Sequence, residues 1–227
     1  GRLSALIHTR QPECVVFVDN CYGELEQEQE PTQVGAYLIA GSLIKNLGGT
    51  IAPTGGYVAG RAALVEQACC RLTAPGIGRE GGTGFDLQRL VLQGLFLAPQ
   101  MVAEALIGAD LVAGVFQRLG FAVNPAPGAD RSDLIQAVRL GSPEALKLVC
   151  RAFQACSPVG AYLDPVPASM PGYASDLVMA GGTFIDGSTS EFSADAPLRE
   201  PFNLYVQGGT HRAHVQLALT RALSVLD

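Results

Sequence analysis

Apolar positions along the chain fall into short runs broken by glycine, proline and charge. The first dense run, Cys14-Val15-Val16-Phe17-Val18, is uninterrupted, as in a strand covered on both faces, and Asp19-Asn20 ends it. Residues 27–33 are polar and hold Pro31, which predicts a loop leading into a short helix or turn. Gly35–Ile39 reads as a second strand that delivers Ser42 and Lys45 beyond its end. Residues 54–60 read as a third strand, with glycines where backbones approach closely. Leu64, Ala68 and Leu72 recur at helical spacing, so 61–72 is a predicted helix. A Gly- and Pro-rich loop spans 73–86. Helices are predicted over 87–97 and 99–119, the second framed by Pro99 near its start and Gly120 past its end. Phe121 opens a new section. Alternation over 133–140 predicts a strand, Ser142-Pro143-Glu144 opens a helix to about Cys156, and 177–180 and 202–206 are further strands. A helix over 210–226 closes the chain. Strands alternating with helices point to an α/β fold with a smaller α+β part at the C-terminus, and the long helix at 99–119 could carry the chain between them.

Composition narrows the class. The chain has 227 residues, 48% of them hydrophobic and 16% charged, a packed globule and not a disordered segment. A net charge of −6 with no basic run excludes a nucleic-acid footprint. The apolar stretches are broken before they reach a membrane span, so no membrane role is expected. Gly1-Arg2-Leu3-Ser4 carries no signal-peptide pattern and reads as an internal cut. The six cysteines form no C-x-x-C pair, which suggests free thiols in a reducing cytoplasm.

The chemistry concentrates at Lys45. Lysine occurs only twice, at 45 and 147, and Lys45 lies where an apolar strand runs into a glycine-rich turn. Apolar neighbours favour an uncharged amine, the form that attacks a carbonyl, and such a lysine can hold pyridoxal phosphate as an imine. In open α/β sheets, ligands bind beyond the carboxyl ends of the strands, where Asp19 and Lys45 both fall. A carboxylate beside the pyridine nitrogen keeps it protonated, and the Ser42 hydroxyl could reach the cofactor phosphate.

Three motifs, Val18-Asp19-Asn20-Cys21-Tyr22-Gly23, Pro31-Thr32-Gln33-Val34-Gly35-Ala36 and Ala40-Gly41-Ser42-Leu43-Ile44-Lys45-Asn46, resemble the methionine gamma-lyase-like family of aluminium resistance proteins. These are relatives of the cystathionine lyases in the fold-type-I pyridoxal-phosphate class. The similarity continues through Arg71–Gly78, Gln93–Pro99, Ser157-Pro158-Val159, Met170–Tyr173, Ala194–Arg199 and Gln207-Gly208-Gly209, so it covers almost the whole chain. It implies a mostly parallel large domain ending at about residue 110, then a small α+β domain over 111–227. It also implies pyridoxal 5'-phosphate as cofactor, Asp19 as partner of the pyridine nitrogen, Lys45 as the imine lysine and Ser42 as a phosphate ligand. Arg199 falls where the family brings an arginine to the substrate carboxylate, with an ordinary surface arginine as the alternative. A homodimer or homotetramer is implied for the full-length protein. The chain departs from the family at Tyr37, where an aspartate is expected, and at Thr210-His211-Arg212. It also lacks the N-terminal phosphate loop and the ring-stacking aromatic, and so reads as a C-terminal fragment.

Other signals compete. Ser42-x-x-Lys45 matches a serine-nucleophile motif of acyl-transfer enzymes, but no Lys-Thr-Gly strand follows. Gly76–Gly81 fits G-x-G-x-x-G without the strand a dinucleotide site needs before it. His211 and His214 read as helix-surface residues, and the acidic run Glu24–Glu30 as a solvated loop or a subunit contact. Tyr22 is either an acid or stacking ring at the rim, or a packed aromatic at a strand end. The expectation is a pyridoxal-phosphate carbon–sulfur lyase for a small sulfur-containing amino acid. The alternative is an inactive fragment that at most associates with a partner subunit.

Overall fold

The structure, a computed structural model, describes residues 1–82 and 84–226; Thr83, inside the predicted 73–86 loop, and Asp227 lie outside the described residues. The described strands form two sheets. In the first, β1 (Phe17–Asp19) runs parallel to β2 (Leu38–Ser42), and β3 (Gly56–Gly60) is antiparallel to β2. The sheet is therefore mixed, not mostly parallel as expected. No crossover helix separates β2 from β3, and a direct return forces the antiparallel arrangement. β1 is shorter than the predicted 14–18 run and is not covered on both faces, because Val15 and Phe17 stay exposed at 46% and 57%. β2 starts later than predicted. Gly35 adopts φ +111 to close the 3-10 turn Pro31–Val34, so extended backbone begins only beyond it.

Helix α1 (Arg2–Arg10) is absent from the sequence reading; Leu3, Leu6 and Ile7 recur at helical spacing, yet Leu3 and Leu6 stay exposed and only Ser4 is buried. Helix α2 (Ala62–Leu72) falls where predicted. The helices expected over 87–97 and 99–119 are one, α3 (Gln88–Arg118), with Pro99 inside it. Proline there removes one hydrogen bond, to the Leu95 carbonyl, and its neighbours Ala98, Val102 and Ala105 are buried firmly enough to hold the helix through it. The merged helix is long and apolar enough to cross a membrane by length and composition, which corrects the expectation that every apolar stretch stops short. Its C-terminal half is a core helix, packed on α5 and the second sheet.

That second sheet holds β4 (Ala122–Asn124), β5 (Gln136–Arg139), β6 (Leu177–Ala180), β7 (Ser193–Pro197) and β8 (Asn203–Gln207). The order is β4-β5-β8-β7-β6, antiparallel throughout. One face packs against α3, α4 (Pro143–Gln154) and α5 (Arg212–Leu223), around Phe116, Val138, Leu146, Phe153, Leu204 and Ala218. The Ser142 hydroxyl caps α4 by accepting from the Ala145 N–H at 3.1 Å. β7 was not predicted, because Ser-Ala-Asp-Ala-Pro lacks bulky β-formers. The β6–β7 connection meets the rim of the first sheet, where the Thr189 hydroxyl donates to Asn46 Oδ1 at 2.7 Å.

Candidate active site at the rim of the first sheet

Parallel pairing of β1 and β2 puts both their C-terminal ends at one rim, with Asp19 opposite Ala40 and Ser42 two residues on. The Asp19 carboxylate is exposed, and its Oδ1 accepts the Cys21 N–H at 3.1 Å. The Cys21 thiol, which sequence reasoning passed over, lies between the two: burial pushes it up, a bond from the Ser42 backbone pulls it down, and Asp19 pushes it up again. Ser42 Oγ donates to the Gly55 carbonyl at 3.4 Å and accepts from the Ile44 N–H at 3.2 Å, so the hydroxyl shapes the turn that follows.

That turn presents Lys45. Asn46–Gly48 forms a 3-10 turn closed by Gly49 at φ +52. The turn rests on α3 backbone to backbone: a Cβ on Gly49 would strike the Gly94 carbonyl, and a Cβ on Gly94 would strike that of Gly48. The Lys45 amine donates to the Gly187 carbonyl at 2.6 Å and to the Tyr22 hydroxyl at 3.3 Å, and its Nζ lies 4.8 Å from the Tyr22 ring centroid. Tyr22 sits at φ 75, a strained conformation for a bulky residue and one that tertiary contacts must hold. The packed-aromatic and rim readings of Tyr22 therefore coexist: the ring packs on the lysine that its hydroxyl touches.

Asn46 is the residue sequence reasoning missed at this turn. It is fully buried, donates to the Glu24 carbonyl at 3.0 Å and accepts from Thr189, tying the segments on either side of Lys45 together. The acidic run is a solvated loop only in part, exposed at Gln27, Glu28 and Gln29 but not at Glu24. Glu24 is 1% exposed and takes the Tyr57 hydroxyl at 3.0 Å, and burial pushes its carboxyl up. The run docks on the segment before β5, where Gln27 Nε2 donates to the Arg131 carbonyl. Hydrogen bonding and burial thus override the charge of the run.

Arg199 follows β7 in an exposed turn, beside a 130 Å³ cleft lined also by Pro197, Pro201, Asn203 and Tyr205. It forms no ion pair among the described residues. Burial pushes the Tyr173 phenol up, Asp195, Tyr22 and Tyr205 add to the effect, and Arg199 opposes it. Burial also raises the Asp195 carboxyl, and Lys45 pulls it down. The sequence signal for Asp195 was one acidic residue among small ones in 193–197.

The rival motifs find ordinary places. Gly76–Gly81 lies in turns after α2. His211 caps α5 by accepting from the Ala213 N–H, and His214 Nε2 bonds the Cys156 carbonyl at 2.8 Å. All six cysteines are free, and burial pushes Cys150 up to about 12. A larger cavity of about 1360 Å³ lies between Leu43, Thr54-Gly55 and the start of α3, lined by none of Asp19, Lys45 and Arg199.

Comparison with known proteins places this geometry. The family model for methionine gamma-lyase matches residues 2–227. The uncharacterized protein YnbB of Bacillus subtilis (strain 168) is 49% identical over 93% of this chain and 50% of its own length. Among solved structures, a candidate cystathionine beta-lyase involved in aluminum resistance from Listeria innocua is 48% identical at a TM-score of 0.95, over 99% of this chain and 55% of that one. A carbon-sulfur lyase involved in aluminum resistance from Clostridium novyi NT is 43% identical at a TM-score of 0.92, over 99% and 53%. The chain thus spans about half the length of these relatives. In fold alone it is also similar to a serine palmitoyltransferase variant from S. paucimobilis, named as carrying PLP, at 13% identity and a TM-score of 0.56. By the match over its length and by these relatives, the chain belongs to the methionine gamma-lyase family.

Proposed function

We propose that the chain carries the lysine side of the active site of a pyridoxal-phosphate-dependent carbon–sulfur lyase acting on a sulfur-containing amino acid. The observation that carries this is that Asp19 ends β1 beside β2, while the turn after β2 presents the Lys45 amine, steered by Gly187 and Tyr22. These residues fit the ring and aldehyde ends of the cofactor. Asp19 keeps one carboxylate oxygen free for a ring nitrogen, and Lys45 offers a primary amine held by only two acceptors. Pyridoxal phosphate bound there supplies a ring that accepts negative charge from the substrate α-carbon. Lys45 would hold the cofactor through its amine and would serve as the base for the α-carbon proton. Asp19 would keep the ring nitrogen charged, Ser42 would turn its hydroxyl from Gly55 to the phosphate, and Arg199 would fork onto the substrate carboxylate. Tyr22 orients the lysine through its hydroxyl. A division into cofactor and small domains near residue 110, and assembly as a homodimer or homotetramer, belong to the same proposal.

A second reading is favoured by one observation: Asp19 and the outer face of α3, with Phe96 at 83% exposure, are open to solvent. On that reading the chain alone holds no cofactor and acts only in association with a partner subunit. One experiment separates the two. Cofactor is added to the purified chain and to Lys45→Ala, both are treated with borohydride, and peptides are mapped. Stoichiometric fixation on the peptide holding Lys45, absent in the variant, supports the first reading. No fixation, or fixation on another lysine, overturns it.

A further inference from the structure

We infer that Glu191 is a positioning residue for Lys45: its buried carboxylate holds the turn at Phe184–Gly187, and that turn supplies the carbonyl on which the lysine amine rests. What this does in catalysis rests on the lyase reading of Lys45; the contacts themselves do not. They run from the second sheet to the rim of the first. Glu191 lies just before β7 and is 3% exposed. Its backbone is fixed from behind, because the Gly209 N–H donates to the Ser190 carbonyl at 3.0 Å and a Cβ on Gly208 would strike the Glu191 carbonyl. Its side chain reaches back along the β6–β7 connection, where Oε1 accepts the Phe184 N–H at 2.8 Å and Oε2 the Ile185 N–H at 3.0 Å. Two residues further on, the Gly187 carbonyl accepts from the Lys45 amine at 2.6 Å, the shorter of the two bonds that amine makes.

A carboxylate removed from water costs stability unless donors replace the water. The next residue, Phe192, fills an equally buried position with a hydrocarbon ring. At Glu191 both oxygens instead serve one turn, through charge-assisted bonds to its backbone. That turn has little else to place it. Phe184 is 72% exposed, and Asp186 and Gly187 are exposed as well, so apolar burial does not pin it. Its internal bonds, from the Thr183 hydroxyl and the Ser188 N–H to the Ile185 carbonyl, set its curvature. Gly187 adopts φ +79, and a side chain there would be strained and would crowd Ile44, so glycine lets the carbonyl come up to the lysine. Just beyond, Thr189 bonds Asn46, so the connection grips the lysine turn at two adjacent residues. An amine held this way has a fixed position and is less available to an electrophile arriving from solvent.

The test uses the two lysines of the chain, since Lys147 lies on α4 outside these contacts and serves as the internal control. The purified chain, Glu191→Ala and Glu191→Gln are treated with formaldehyde and cyanoborohydride, which methylate free amines. Rates at the two lysine peptides are read by mass spectrometry. Glu191→Ala should raise the rate at Lys45 roughly fivefold, the scale of one hydrogen bond, and leave Lys147 within about twofold. Glu191→Gln keeps the shape and one acceptor and should fall between the two, a rescue that carries the test alone if the alanine variant does not fold. Amide exchange at Phe184 and Ile185 should quicken in the same order. An unchanged Lys45 rate, or an equal rise at both lysines, overturns the assignment. Borohydride fixation of the cofactor on Lys45, run in parallel on the wild type, keeps the two proposals apart. Fixation with a Lys45 rate indifferent to Glu191 sinks the positioning role alone, and a selective rise at Lys45 without fixation sinks the lyase reading alone.

Discussion

Lys45 and Asn46 adjoin in the chain and do opposite work. Lys45 reaches the rim with its amine on two acceptors, whereas Asn46 turns inward at zero exposure and satisfies Glu24 and Thr189 at once. Truncating Asn46 to alanine leaves a buried carbonyl and a buried hydroxyl without partners, a loss on the order of 2–3 kcal/mol. Urea unfolding of Asn46→Ala should show it; a change below about 0.5 kcal/mol would mean that water replaces the amide. Lys45 was legible because lysine is rare in this chain and its neighbours are unusual. Asn46 was not, since asparagine in a glycine-rich stretch reads as a turn residue until Thr189, far along the chain, packs onto it.

At the scale of elements, α3 sets the height of the lysine turn. Glycine inside an exposed helix normally weakens it by about 1 kcal/mol relative to alanine. At Gly94 the sign reverses, because the added methyl group would meet the Gly48 carbonyl. Gly94→Ala should lower the thermal midpoint, by roughly 1–3 kcal/mol in stability, and reduce borohydride fixation on Lys45 as the turn lifts. An alanine variant with a higher midpoint and undiminished fixation would show that the turn does not need this contact. Pro99 marks the limit of element reading: local rules ended a helix that tertiary burial carried through.

Across the whole molecule, the acidic run joins the rim to the second sheet. Glu26 is pushed up to about 8, first by burial and then by Asp133, with Arg131 opposing and Glu24 and Glu30 adding to it; neither carboxylate oxygen has a donor. Unfolded, the same group titrates near 4.5. Between these values the folded state holds more protons than the unfolded one, so this contribution is complete below about 4.5 and is lost as pH rises through about 8. Glu24 shifts in the same direction. Urea midpoints should therefore fall from pH 5 to pH 8.5, and Glu26→Gln should flatten the fall and raise the midpoint at pH 8.5. An unchanged slope in the variant would place the pH dependence elsewhere.

The strands and helices that carry bulky periodic residues and the family were determined by the sequence itself, which also singled out Asp19 and Lys45 as candidates. Each is written in local patterns of a few residues. Tertiary structure alone decided the rest. It made the first sheet mixed, turned Ser193–Pro197 into an interior strand, and buried Glu24 within a largely exposed acidic run. Those outcomes depend on which distant backbone supplies a hydrogen bond and which surface excludes water, and neither is a property of the residues nearby.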